Sequence, residues 1–157
     1  MNTLSSDRIG ELVIEALERT AFVLAETVAP DELESGFQPR HFARVTFTGA
    51  AEGAVVLAAD DAFVLELASS FLGVEPDDVD INVEGRDALN ELANIVGGSV
   101  ILEYDGAVRQ YNYGLPEAIT KDQLPPEADD AVSCGVSSES GVLTVFWLPR
   151  ADARAAA

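Results

Sequence analysis

A chain of 157 residues with 9 Lys+Arg against 28 Asp+Glu has a formal net charge of −19, which excludes an electrostatic footprint for nucleic acid or for an anionic membrane. That length fits one domain, burying roughly two-thirds of the unfolded chain's surface in a core that needs no staple. The single cysteine, Cys134, leaves no intrachain disulfide and fits a reducing compartment. Met1–Asp7 has no basic segment with an apolar run behind it, and the most apolar windows, 54–59 and 142–148, fall far short of the ~20 residues of a membrane span. A soluble cytoplasmic protein is expected.

In chain order, Ile9, Leu12, Val13, Ala16, Leu17, Thr20 and Leu24 recur at helical spacing, with Glu11, Glu15, Glu18 and Glu26 opposite, and predict one long amphipathic helix from Asp7 to Val28. Ile14, Ala21, Phe22 and Ala25 flank the acidic row, so this helix should touch a second element besides a sheet. Residues 30–39 read as a loop. Arg44–Thr48 alternates and Gly53–Ala59 is continuously apolar, a hairpin turning at 50–53 with one strand half exposed and the other buried. Asp60 or Asp61 can cap a helix over 62–72, and Gly73 can stop it. After an acidic loop at 74–80, Asn82 can cap a second long helix running to about Glu103, before a turn at 104–106.

Residues 108–113 read as a strand that 115–120 continues after a break at Gly114–Pro116. Pro125-Pro126 marks 121–130 as a loop. The strands 131–138 and 142–148 form a hairpin around Glu139-Ser140-Gly141, and 150–157 reads as a frayed tail. The expected organisation is a single α+β domain over residues 1–149, a mostly antiparallel sheet packed with helices. Both halves read helix then strands, which points to a degenerate duplication about residue 75.

The second long helix carries the candidate site. At about 100° per residue, Ala88, Leu89, Leu92, Ile95, Val96 and Ser99 form one stripe, while Asp87, Asn90, Glu91, Asn94, Gly97 and Gly98 fall on the opposite arc. Glu and Asn on an outer face are ordinarily solvent residues. Two consecutive helical glycines, however, cost roughly 1 kcal/mol each relative to alanine and need a reason, such as another backbone approaching closely. An amide cannot act as a base, yet it can orient water through its donor and acceptor groups.

Other chemistry finds little support. His41, the only histidine, has no marked nucleophile to serve, and Cys134 inside a strand reads as a small core residue. Asp78-x-Asp80-x-Asn82-x-Glu84 opens like a calcium loop, but Val83 stands where glycine is needed and Leu89 where a closing glutamate is needed, so it reads as an acidic helix cap. No zinc cluster and no Gly-rich phosphate loop is present in the sequence.

The segment Asn90–Gly98 resembles the Glu-x-x-Asn helix of the CheC/CheX/FliY chemotaxis phosphatases, and Gly114-Leu115-Pro116 falls about where that family carries a proline after the next strand. The element order resembles the CheX type. No Glu of the first helix is followed three residues later by Asn, which implies one site per chain. The resemblance implies hydrolysis of the aspartyl phosphate of a CheY-type receiver, with Asn94 placing the water and Glu91 pairing with the receiver's lysine. Asp87, Asn90, Gly97 and Gly98 would complete the contact face, the glycines letting a receiver loop approach. Magnesium would belong to the receiver, so no cofactor is expected in this chain. A symmetric homodimer pairing through its sheet is implied as well, with the 131–148 hairpin offering apolar strands. The alternative is a non-catalytic module of the same fold that binds a receiver or a flagellar or signalling assembly.

Overall fold

The computed structural model describes residues 3–29, 32–33, 37–49, 52–106, 111–123 and 131–149. Helix α1 spans Ser6–Ala21, with the Ser5 hydroxyl accepting the Arg8 N–H at 3.1 Å. It is shorter than its apolar period predicts. Phe22 turns left-handed (φ 56°), and its N–H and that of Val23 both return to the Leu17 carbonyl, closing the last turn. Ala25–Val28 then forms strand β1 on β6 (Val132–Ser138). An apolar period cannot show where a helix ends when the next strand is apolar too.

The hairpin of β2 (His41–Gly49) and β3 (Gly53–Ala59) forms as read, with β3 the more buried strand. Helix α2 spans Asp61–Leu72. Asp60 caps it by accepting the Phe63 N–H at 2.9 Å and also takes the Val142 N–H at 3.2 Å, while Gly73 ends it left-handed. A π-helical turn, Ile81–Gly85, leads into α3, Arg86–Asp105, which Gly106 closes. The cap is Asp80 and not Asn82: Asp80 accepts the Asn82 N–H, and Glu84 reaches back to the Asp80 N–H. The acidic segment is therefore bound up in starting a helix. Short β4 (Tyr111–Tyr113) and β5 (Glu117–Ile119) follow, and β6 pairs with β7 (Val142–Pro149). Residues 108–110, 124–130 and the tail at 150–157 lie outside the described residues.

All pairings are antiparallel in a seven-stranded sheet of order β1-β6-β7-β3-β2-β4, with β5 also on β2. This order carries the duplication in its topology. The central strands β3 and β7 are the last strands of the two halves, and each hairpin takes its outer strand from the other half: β2 receives β4 and β5, while β6 receives β1. The helices cross over too, α1 packing on β6 and α3 on β2. Two glycines make the matching approaches. A Cβ at Gly10 would lie 2.8 Å from Cys134 Sγ, and one at Gly97 2.6 Å from Val45 Cγ1.

Side-chain alternation divides the apolar residues cleanly between the two sheet faces. Val45, Phe47, Val55, Leu57, Val145 and Trp147 lie beneath the helices, with Trp147 stacked on Phe47 at 5.4 Å. Phe42, Val56, Ala58 and Ile119 cluster on the other face. Arg8 ties the start of α1 to the end of α3 through Glu103 at 2.7 Å and holds that carboxyl below the usual carboxylate range.

Gly97→Ala should lower stability by about 1–2 kcal/mol, because Val45 is fully buried and stiff and the clash exceeds the gain in helix propensity. Gly98→Ala meets nothing within 4 Å and should gain about 0.5–1 kcal/mol. Urea melts of the two variants separate them by sign.

Candidate functional site

Helix α3 is enclosed on most of its circumference. It packs against β2 and β3 below and against α1 and α2 beside it, and Ala88, Leu89, Leu92, Ala93, Val96, Gly97, Val100 and Ile101 are buried. What stays open is a narrow ridge. Asp87, Glu91 and Asn94 are exposed, Gly98 is partly open with nothing above its Cα, and Leu102 is 52% exposed. These positions step three or four residues apart and so share one face of the helix.

Three readings of the sequence change here. Gly97 does not belong to the contact face: it is turned to the sheet and covered by Val45, and no partner can reach it. Asn90 stands on the flank of the ridge, partly buried, and its Oδ1 is buried with no hydrogen-bond partner among the described residues. Leu102 was missed, although its place four residues after Gly98 was the signal that could have found it.

Glu91 and Asn94 are i,i+3 neighbours, with Cβ atoms about 5–6 Å apart. Neither spends its polar atoms on another described side chain, so a carboxylate and an amide stand free on a rigid backing. The remaining reactive groups are occupied elsewhere. His41 Nε2 lies 2.6 Å from Asp61 Oδ1 at the junction of β2 and α2. Cys134 is buried beneath α1, and burial pushes its thiol pKa up, which favours the inert thiol. Among the described residues no group of three or more His, Cys, Asp or Glu side chains could hold a metal, and no helix is long and apolar enough to cross a membrane. The ridge can orient water and pair with a cation; it offers no nucleophile of its own.

The duplicated topology offers a second place for such a ridge. Counting back from Gly10 as Glu91 and Asn94 lie before Gly97 reaches Leu4 and Asp7. Leu4 is 5% exposed in the core, and Asp7 stands in the first turn of α1. The first half has no counterpart of the pair.

The family model for the chemotaxis phosphatase CheX matches residues 42–137, from β2 through β6, including the whole ridge. The chain belongs to the CheX family. No curated protein matches it in sequence. Among solved structures, CheX from Vibrio vulnificus superposes with a TM-score of 0.68 at 15% identity, covering 92% of this chain and 95% of that one. The CheX of a Borrelia burgdorferi CheX–CheY–BeF3–Mg2+ complex gives 0.68 at 14% identity, covering 95% and 99%. FliY from Thermotoga maritima gives 0.55 at 20%, covering 90% and 88%. These likenesses show that the fold is the CheX/CheC type, as its sequence resemblance implied.

Glu91→Ala and Asn94→Ala should each change stability by no more than about 0.5 kcal/mol, since both side chains face solvent. Thermal melts check this; a large loss in either variant would mean that the pair supports the fold.

Proposed function

We propose that this CheX-family chain is a phosphatase that speeds hydrolysis of the aspartyl phosphate of a CheY-type receiver by inserting the α3 ridge into the receiver's active site. The observation that carries this reading is the family match across a ridge whose exposed, unengaged polar pair is Glu91 and Asn94. The similar Borrelia burgdorferi protein is a CheX in complex with CheY, BeF3 and Mg2+, which supports a receiver as partner and a cytoplasmic setting.

The chemistry asks little of this chain. A water oxygen attacks phosphorus, the bond from phosphorus to the aspartyl oxygen breaks, and the products are the receiver's carboxylate and inorganic phosphate. Such a transfer depends on an in-line water and on charge stabilisation. The Asn94 amide, with both a donor and an acceptor, holds the water. Glu91 pairs with the receiver's lysine and sets the docking register. Asp87, Asn90, Gly98 and Leu102 complete the contact, while Gly97 keeps the helix at its depth. Magnesium belongs to the receiver and none is held here.

A homodimer pairing through the sheet is part of this reading, but not through the hairpin the sequence suggested. Strands β6 and β7 are interior, whereas β1 lies at an edge flanked by Phe22 and Leu24, 85% and 74% exposed. Sedimentation at tens of micromolar should give twice 16.6 kDa; a monomer at that mass would remove the dimer.

With a phosphorylated CheY-type receiver, Asn94→Ala should abolish the acceleration and leave binding nearly intact, while Glu91→Ala should weaken both. Chelating magnesium should stop turnover by disabling the receiver. Full activity in Asn94→Ala would refute the assigned role, and binding without acceleration by the unaltered protein would favour the non-catalytic module.

A further inference from the structure

A cleft of about 600 Å3 opens at the corner where the first turn of α3 meets the start of β2 and the end of β5. Its floor is apolar, made by Phe42, Leu89 and Ile119, each less than a tenth exposed. Its rim carries Arg40, Arg86 and Lys121, three of the chain's 9 Lys+Arg, with Asp61 as the carboxylate that pairs with Arg40. Among the described residues, Arg8, Arg19, Arg40 and Arg44 each hold a carboxylate within 3.3 Å. Only Arg86 and Lys121 hold none, and both stand on this rim. In a chain of net charge −19, the two unneutralised cations of the described surface thus meet at one cleft.

We propose that this cleft anchors an acidic segment of the docked receiver, a contact that deepens the function proposed above and rests on it. The chemistry selects a polypeptide over a free anion. The apolar floor of Phe42, Leu89 and Ile119 can seat the side chains of a polypeptide and offers a free anion no donor. Arg86 and Lys121 are exposed at the rim, where charges set register and association rate. A free phosphate would need donors converging inside. Position agrees: Asn90 lines the cleft and precedes Asn94 by one turn, about 6 Å along the helix, so a receiver seated on the ridge has its flank over the cleft.

The test takes the CheY-type receiver of the source organism that the unaltered protein dephosphorylates, and measures KM and kcat for Arg86→Gln/Lys121→Gln. KM should rise roughly fivefold with kcat unchanged, and its dependence on salt should flatten. Arg44→Gln, two residues along β2 from Phe42 but outside the cleft lining and engaged by Glu117, removes one charge and should leave KM alone. Both rim residues are exposed, so melts of the double variant should match the parent's. An unchanged KM in the double variant would overturn the anchor while leaving the ridge's function standing. Competition by inorganic phosphate or ADP, seen in the parent and lost in the variant, would overturn it in favour of a small-anion site. If the unaltered protein neither accelerates hydrolysis nor binds a BeF3-loaded receiver, the proposed function fails and the anchor falls with it.

Discussion

The approach of α3 to β2 at Gly97 is the contact on which the rest of this structure depends. With no Cβ between helix axis and sheet, Val45 fills the space a side chain would take, and the helix sinks far enough for α1 and α2 to close over its flanks. Depth then fixes phase. Once Gly97 faces down, Glu91 and Asn94 have only one direction in which to point, and that is away from every other element. The pseudo-symmetric contact of Gly10 over Cys134 seats α1 in the same way, so a pair of small residues sets the height of the whole helical layer.

A helix held on three sides also bears on recognition. Docking costs free energy for each side chain or segment that must be ordered, and here the backbone of the ridge is ordered before a partner arrives. The fully buried Leu92 and Val96 beneath Glu91 and Asn94 leave little room for the helix to shift. The polar pair keeps its own rotamer freedom, since no neighbouring described side chain fixes it. Rigidity is supplied by the backing and adaptability by the two side chains.

Much of this was legible in the sequence, and the misses share a cause. Hairpins, caps at Asp60 and Gly73 and the motif helix follow from alternation, capping chemistry and period, which are local properties. The end of α1 was not legible, because Phe22 to Val28 continues an apolar pattern while the backbone of Ala25–Val28 pairs with β6, more than a hundred residues away. Gly97 was misplaced because a helical wheel assigns a glycine by angle, and a residue without a side chain has no polarity to betray which side it faces. Its contact with Val45 is a tertiary fact. The buried arc of α3 is also wider than one sheet would make it, because two helices flank it, and this narrowed the functional face to a single ridge.

The duplicated topology raises the question of why one half carries a ridge and the other does not. The fold offers two equivalent places, each on a helix seated by a glycine over the penultimate strand of the opposite half. In the first half the place of Glu91 is taken by Leu4, ahead of the helix and buried. A carboxylate there would lose its hydration and leave the apolar cluster short of a member, so the two uses exclude each other. Asp7, at the place of Asn94, instead stands in the first turn, where its charge complements the helix dipole. The first half has thus turned its equivalent positions to holding and starting α1, and α1 in turn covers a flank of α3. One helix of the pair presents the chemistry because the other is committed to supporting it.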